Sequence, residues 1–229
     1  YSRSEVETMA TIIRENKAGL SVLVRQADAA PADSLILLLH GWGADAADLM
    51  DLSPALASRF PGAVVAAPDG PAPCAANPMG REWFDLTGAT LDNGPDEAMP
   101  QLKELISILL EDHGLGYDRL ALIGFSQGGM MALHTGLRMA EPVAGVVSFS
   151  GALLAPEKLE DEKTASPRVL LVHGKDDEVV PWQAMMIAES MLKSVDIDVT
   201  ASTREGLGHG IDGEGFEEAM AFLSVTLLS

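Results

Sequence analysis

The residues best suited to chemistry lie in Gly124-Phe125-Ser126-Gln127-Gly128, the one Gly-x-Ser-x-Gly pattern in the chain. The apolar run Leu120–Gly124 predicts a strand before it, and Gly128–Met139 predicts a helix after it. A serine at a sharp strand-to-helix turn exposes its hydroxyl above a sheet, and flanking glycines permit the strained backbone of that turn. Ser126 is therefore predicted to act as a nucleophile.

A serine hydroxyl needs a neighbouring base to accept its proton, and two histidines follow the predicted nucleophile helix. His173 ends an apolar run, as expected of a residue packed at the end of a strand. His209 lies in a glycine-rich loop between the last predicted strand and the last predicted helix. A base must approach the serine from such a loop, so His209 is the predicted base.

The carboxylate that orients this histidine is expected after the strand that follows the serine unit. Asp176, Asp177 and Glu178 stand in a row at the end of a predicted strand. A carboxylate is required because it fixes the imidazole tautomer and stabilises the imidazolium ion. The local sequence leaves all three acids open.

Stabilising the negative charge of an acyl-transfer intermediate requires two backbone N–H groups. Gln127, the residue after the nucleophile, is expected to supply one of them. The loop after the predicted strand Leu35–Leu39 is expected to supply the other, from Trp42, because Gly41 and Gly43 let the backbone approach a substrate closely. The predicted oxyanion hole therefore consists of Trp42 and Gln127.

The elements that must position these residues alternate between short β-rich runs and helical patterns. Such alternation predicts an α/β fold: a mostly parallel sheet with helices on both faces. Ala46–Phe60 is predicted as one helix, and Pro68–Pro100 is the longest stretch without periodicity. No repeat or linker interrupts the pattern, so residues 1–229 are predicted to form a single domain. The other predicted elements are the strands Leu20–Arg25, Ala63–Ala67, Val143–Phe149, Val169–Val172 and Ile197–Thr203, and the helices Ala98–Glu111, Ala184–Val195 and Gly215–Leu228.

Composition restricts the classes of partner and cofactor. The net charge of −19 argues against nucleic acid, because phosphate binding needs clustered Lys and Arg. No run approaches the roughly 18 apolar residues of a membrane span, so stable membrane insertion is not expected. The single cysteine, Cys74, excludes an intramolecular disulfide and a multi-cysteine zinc site, and it favours the cytoplasm.

Several segments together resemble the bacterial carboxylesterases and acyl-protein thioesterases, which are α/β-hydrolases with little or no lid domain. Three of them are similar to the family's oxyanion loop, its Trp-Phe-Asp segment beside the substrate groove and its nucleophile motif: Leu38-Leu39-His40-Gly41-Trp42-Gly43-Ala44-Asp45, Trp83-Phe84-Asp85-Leu86 and Gly124-Phe125-Ser126-Gln127-Gly128-Gly129. His173-Gly174-x-x-Asp177-x-x-Val180-Pro181 is similar to its acid motif, and this resemblance selects Asp177 as the acid. The family usually has Leu where Trp42 stands and often has Ser where Gly210 stands.

The resemblance implies a serine hydrolase of broad specificity with a Ser126–His209–Asp177 triad and without metal or organic cofactor. Trp83, Phe84 and Trp182 lie on or beside the presumed site loops and are predicted to contact the acyl group. The leading hypothesis is hydrolysis of short- to medium-chain carboxylic esters, which are small-molecule substrates. The alternatives are a thioesterase acting on acylated protein or acyl-CoA, a lysophospholipase, and a non-catalytic binding protein with the same fold, which the intact triad opposes.

Overall fold

The computed structural model describes residues 11–86 and 94–228. Eight of its strands form one sheet in the order β1-β2-β4-β3-β7-β8-β9-β10. The pairs β1–β2 and β2–β4 are antiparallel, and every pair from β4 to β10 is parallel. The strands are β1 (Ile12–Lys17), β2 (Leu20–Arg25), β3 (Ser34–Leu39), β4 (Ala63–Pro68), β5 (Ala72–Pro73), β6 (Arg81–Glu82), β7 (Leu120–Phe125), β8 (Gly145–Phe149), β9 (Val169–Gly174) and β10 (Val199–Arg204).

The helices cover both faces of this sheet and enclose two apolar layers. The helices α3, α4 and α6 pack in one layer with Leu35, Leu37 and Leu39 of β3, whereas α1, α2 and α7 pack in the other layer with Ile36 and Leu38. Successive side chains of a strand point to opposite faces, so a strand covered on both sides is apolar throughout. The helices are α1 (Ala46–Met50), α2 (Ser53–Arg59), α3 (Gly94–His113), α4 (Gln127–Gly136), α5 (Leu159–Glu162), α6 (Gln183–Ser194) and α7 (Gly213–Leu227). The predicted fold class is confirmed.

Two expectations about single elements are wrong. The segment Ala46–Phe60 forms two helices, α1 and α2, because the chain leaves the first at Asp51 and enters the second with Pro54 in its first turn. Proline fits the first turn of a helix but not its interior. Pro68–Pro100, expected to lack periodic structure, contains the β5–β6 hairpin and the start of α3, and its residues 87–93 lie outside the described part of the chain.

Strand β1 was not predicted, and its composition explains why. Ile12–Lys17 alternates charged and apolar residues only weakly, and it forms the exposed edge of the sheet beside β2. Charged side chains are typical of an edge strand, where they discourage pairing with other chains. The prediction of one domain over residues 1–229 stays a prediction.

Candidate active site

The predicted site residues all follow the carboxyl ends of neighbouring parallel strands. Ser126 follows β7, Asp177 follows β9 and His209 follows β10, while the loop that carries Trp42 follows β3. Because β3, β7, β8, β9 and β10 are consecutive in the sheet, their ends meet along one edge. Crevices at this edge are the usual ligand sites of open α/β sheets.

Ser126 sits in a strained turn that its neighbours enforce. Its φ of 55° lies in the left-handed region, and its N–H donates to Phe149 O at 2.8 Å. A Cβ at Gly124 would lie 2.1 Å from Gly128 O, and a Cβ at Gly128 would lie 1.9 Å from Leu39 O. Both glycines are therefore required by the close approach of α4 to the strand ends, and the strain at Ser126 is of the kind found at functional sites.

The structure brings Ser126, His209 and Asp177 into one line. His209 Nε2 lies 3.0 Å from Ser126 Oγ, and His209 Nδ1 lies 2.8 Å from Asp177 Oδ2. An ionised carboxylate only accepts hydrogen bonds, so Nδ1 carries the imidazole proton and Nε2 is free to accept the serine proton. The ring of Phe125 packs against that of His209 with centroids 4.9 Å apart.

Of the three candidate acids, Asp177 is the one whose carboxylate contacts His209. Its side chain is completely buried, whereas Asp176 and Glu178 are exposed. Asp177 Oδ1 accepts the N–H groups of Val179 at 2.9 Å and Val180 at 2.8 Å. Burial by itself raises the pKa of this carboxyl, but the hydrogen bonds from His209, Val180 and Val179 outweigh burial and hold the pKa below its usual range.

His173, the rejected candidate for the base, lies behind the acid. It is 1% exposed, and its Nε2 donates to Val180 O at 2.8 Å while lying 3.2 Å from Asp177 Oδ2. The packed strand-end position expected from the sequence matches this burial. The contact with Asp177 was not expected, and the four-residue spacing was the only signal in the sequence that pointed to it.

The two expected oxyanion donors lie beside Ser126 on different segments. Gln127 begins α4, whose N-terminal end carries a partial positive charge. Gly41, which precedes Trp42, lies so close to the nucleophile that a Cβ there would be 3.5 Å from Ser126 Cβ. Neither the Trp42 N–H nor the Gln127 N–H donates to another described residue. Both amides are therefore available to a substrate oxygen.

The segment 81–84 connects these two donors, a link that no feature of the sequence indicated. Gly43 N donates to Arg81 O at 2.9 Å, and Arg81 N donates to Ala44 O at 2.7 Å. The indole N–H of Trp42 donates to the buried carboxylate of Glu82 at 2.7 Å. The side chain of Trp42 is therefore held in one orientation by a charge-assisted hydrogen bond.

The three predicted substrate-contact aromatics differ strongly in exposure. Trp83 is 2% exposed and Phe84 is 4% exposed, and both belong to the core layer that contains α3 and α4. Trp182 is half-buried just before α6, and Lys175 Nζ lies 5.8 Å from the centroid of its ring. Substrate contact by these three residues stays a prediction.

Neither a metal site nor a membrane-spanning helix is found in the described residues. No group of three or more His, Cys, Asp or Glu side chains within 11–86 and 94–228 is arranged to hold a metal ion. Over the same ranges no helix has the length and apolar character needed to cross a membrane.

Comparison with known proteins identifies the family of this chain. The sequence profile of the phospholipase/carboxylesterase family matches residues 22–227. This chain belongs to the phospholipase/carboxylesterase family. As a member it is an α/β-hydrolase of the carboxylesterase type, acting on esters or thioesters.

Individual relatives of this phospholipase/carboxylesterase family protein are esterases and thioesterases by name. It is 34% identical to Esterase YpfH of Escherichia coli (strain K12) over 202 residues, which cover 86% of this chain and 84% of the relative. It is 30% identical to Acyl-protein thioesterase 1 of Mycosarcoma maydis over 213 residues, 82% of this chain and 89% of the relative. The crystal structure of esterase PE8 superposes with a TM-score of 0.87 at 41% identity, covering 91% of this chain and 99% of that one.

Proposed function

We propose that this protein hydrolyses short- to medium-chain carboxylic esters through an acyl-enzyme on Ser126. The observation that carries the proposal is the line of hydrogen bonds from Ser126 Oγ through His209 to the buried Asp177. A nucleophile, a base and an orienting acid in such a line define the triad arrangement, whichever fold carries it.

Acylation begins when Ser126 Oγ attacks the carbonyl carbon of the ester and its proton passes to His209 Nε2. Asp177 stabilises the imidazolium ion through Nδ1–H and stays ionised. The carbonyl oxygen becomes an oxyanion that accepts hydrogen bonds from the N–H groups of Trp42 and Gln127. When the intermediate collapses, the bond from carbon to the leaving oxygen breaks, and His209 Nε2 returns the proton to the departing alcohol.

Deacylation repeats these steps with water as the nucleophile. His209 Nε2 removes a proton from water, the resulting hydroxide attacks the acyl-serine, and the same two amides hold the second oxyanion. His209 then protonates Ser126 Oγ as the carboxylic acid forms. The products are one acid and one alcohol, and no step requires a metal or an organic cofactor.

The proposed acyl length rests on Trp42, which is bulkier than the Leu that the family usually has at this position. Its indole is fixed to Glu82 by a hydrogen bond, so we expect it to narrow the space for the acyl chain. The charge of −19 disfavours anionic substrates such as acyl-CoA and the surfaces of anionic lipid membranes. Both features favour neutral esters of modest length.

A thioesterase acting on an acylated protein is the second candidate. It is favoured by the 30% identity to Acyl-protein thioesterase 1 over 82% of this chain. The same serine, histidine and amides can release a thiol as readily as an alcohol, so the triad alone does not separate the two substrates.

The test is a panel of p-nitrophenyl esters and acyl thioesters of increasing chain length, with kcat/KM determined for each. Ser126→Ala should reduce turnover by about 10⁴-fold or more and abolish labelling by a fluorophosphonate probe, with the fold unchanged. Ser190→Ala, the same change on the exposed surface of α6, is the matched control. Turnover at the wild-type rate in a folded Ser126→Ala protein would contradict the proposal.

A further inference from the structure

Trp83 uses every hydrogen-bond donor that it has, and it uses them inside the protein. Its indole N–H donates to His40 O at 3.0 Å, and its backbone N–H donates to Gln127 Oε1 at 2.9 Å. The indole also packs on the His40 ring, with centroids 5.4 Å apart. With 2% of its surface exposed, Trp83 joins the oxyanion loop to the start of the nucleophile helix.

The first of these contacts leads to the Trp42 amide. His40 is completely buried, and its Nδ1–H donates to Gly41 O at 2.7 Å while its Nε2 accepts Gly70 N–H at 2.9 Å. Burial lowers the pKa of His40, which keeps the ring neutral, and the N–H that Gly70 donates to Nε2 leaves the ring proton on Nδ1. Gly41 C=O and Trp42 N–H belong to one rigid peptide plane, so a bond that holds the carbonyl also holds the direction of the amide.

The second contact leads to the Gln127 amide. The side chain of Gln127 is completely buried, accepts Trp83 N–H and donates from Nε2 to Phe84 O at 2.6 Å. Since Gln127 is the first residue of α4, these bonds hold its backbone as well as its side chain. An unbroken sequence of contacts therefore runs from one oxyanion donor to the other, with Trp83 at its centre.

We propose that Trp83 is a positioning residue that sets the distance and angle between the two oxyanion donors, rather than a residue that contacts substrate. The inference rests on the proposed function, because it assigns a role in the same acyl transfer. Preorganised donors lower the barrier only when they point at the developing charge, so small misplacements act on the rate. Tryptophan fits the role because a phenylalanine ring, though it would occupy most of the same space, has no donor for His40 O.

Trp83→Phe is the direct test. We expect kcat to fall by about 10- to 100-fold, part of the 10²- to 10³-fold attributed to loss of a whole oxyanion donor, with KM changed less than about threefold. The affinity of an alkyl trifluoromethyl ketone, whose adduct with Ser126 places an oxyanion between the two amides, should fall by the same factor as kcat/KM. If Trp83 only stabilised the fold, the variant would have a lower melting temperature without an equal fall in kcat/KM and in ketone affinity.

Gln127→Met provides a second route if Trp83→Phe does not fold. It keeps the backbone amide but removes both side-chain bonds to the segment 81–84, and it should give the same loss of kcat and of ketone affinity. Gln101→Met is its matched control: Gln101 is a partly buried glutamine of α3 that donates to Ala18 O, and the variant should retain wild-type kinetics.

The outcomes separate this inference from the proposed function. A rise in KM at constant kcat in Trp83→Phe would make Trp83 a substrate-contact residue and overturn the inference. Unchanged kinetics in that variant would overturn it as well. In both cases, turnover by the wild-type protein would still support the proposed function. Wild-type protein that neither turned over the ester and thioester panel nor reacted with fluorophosphonate would overturn the function and the inference with it.

Discussion

Replacing Asp177 by asparagine tests whether this carboxylate sets the tautomer of His209, as the proposed mechanism requires. An asparagine that keeps its oxygen toward the Val179 and Val180 amides must point its NH₂ group at His209 Nδ1, which lies 2.8 Å from the present Oδ2. Two donors cannot face each other, so the ring takes the other tautomer, in which Nε2 carries the proton. It can then no longer accept the proton of Ser126.

The expected loss is about 10⁴-fold in kcat, which corresponds to about 5.4 kcal/mol of transition-state stabilisation at 1.36 kcal/mol per factor of ten. The reverse orientation of the amide would oppose NH₂ to two backbone N–H groups, so it does not rescue the enzyme. In the first orientation, the NH₂ group would also face His173 Nε2–H, which lies 3.2 Å from the present Oδ2.

The assay is steady-state hydrolysis of the best p-nitrophenyl ester by Asp177→Asn and Asp176→Asn. The second variant makes the same chemical change on the adjacent, exposed side chain, and it should alter stability by no more than about 0.5 kcal/mol with kcat near wild type. A large loss at Asp176 together with a mild one at Asp177 would refute the reasoning, and mild losses at both would transfer the acid role to another carboxylate.

Two further predictions concern the acyl pocket and the pH dependence of stability. Trp42→Leu keeps the oxyanion amide but removes the indole, so the preferred acyl chain in a chain-length panel should become longer. Because buried Glu82 loses its hydrogen-bond donor, thermal unfolding should show a free energy of unfolding lower by about 1–3 kcal/mol. An unchanged specificity profile would mean that the indole does not border the acyl group. Burial lowers the pKa values of His40 and His134, so below the ordinary value of about 6.5 the unfolded chain binds protons that the folded chain does not. The free energy of unfolding should therefore fall as the pH drops from 7.5 to 5.5, by at most about 1.4 kcal/mol per pH unit per histidine. In urea titrations, His134→Gln should make the free energy of unfolding depend less steeply on pH. Equal stability at pH 7.5 and pH 5.5 would contradict the lowered pKa values of the two histidines.

The sequence predicted the sheet and the order of its helices because the signals there are local. Strand β2 has the predicted bounds, Leu20–Arg25, and β3 differs from its prediction by the single residue Ser34. A strand buried on both faces must be apolar at every position, which makes it visible without any knowledge of its neighbours. Strand β1 escaped prediction because its mostly exposed residues, Ile-Ile-Arg-Glu-Asn-Lys, form neither an apolar run nor a regular alternation.

Position within a turn could not be predicted from local residues. Asp176 and Asp177 are adjacent and chemically identical, and what separates them is which side chain the turn directs inward, toward the amides of Val179 and Val180. Resemblance to a family selected Asp177, and the geometry places that same residue beside His209. The roles of His40 and Trp83 were invisible for a related reason: their partners lie 30 to 44 residues away in the chain, at Gly70, His40 and Gln127.

The topology explains why a third segment is needed between the two oxyanion donors. Leu39 of β3 pairs with Gly124 of β7, so the sheet itself brings the loop after β3 beside the turn that holds Ser126. The pairing of β3 with β7 ends there, and no backbone hydrogen bond among the described residues joins the two loops directly. The segment 81–84 supplies hydrogen bonds from the side, to Ala44 and His40 on one loop and to Gln127 on the other. Both N–H groups of the hole can then remain unpaired and fixed, so substitutions in this segment are expected to act on the rate of acyl transfer before they act on substrate binding.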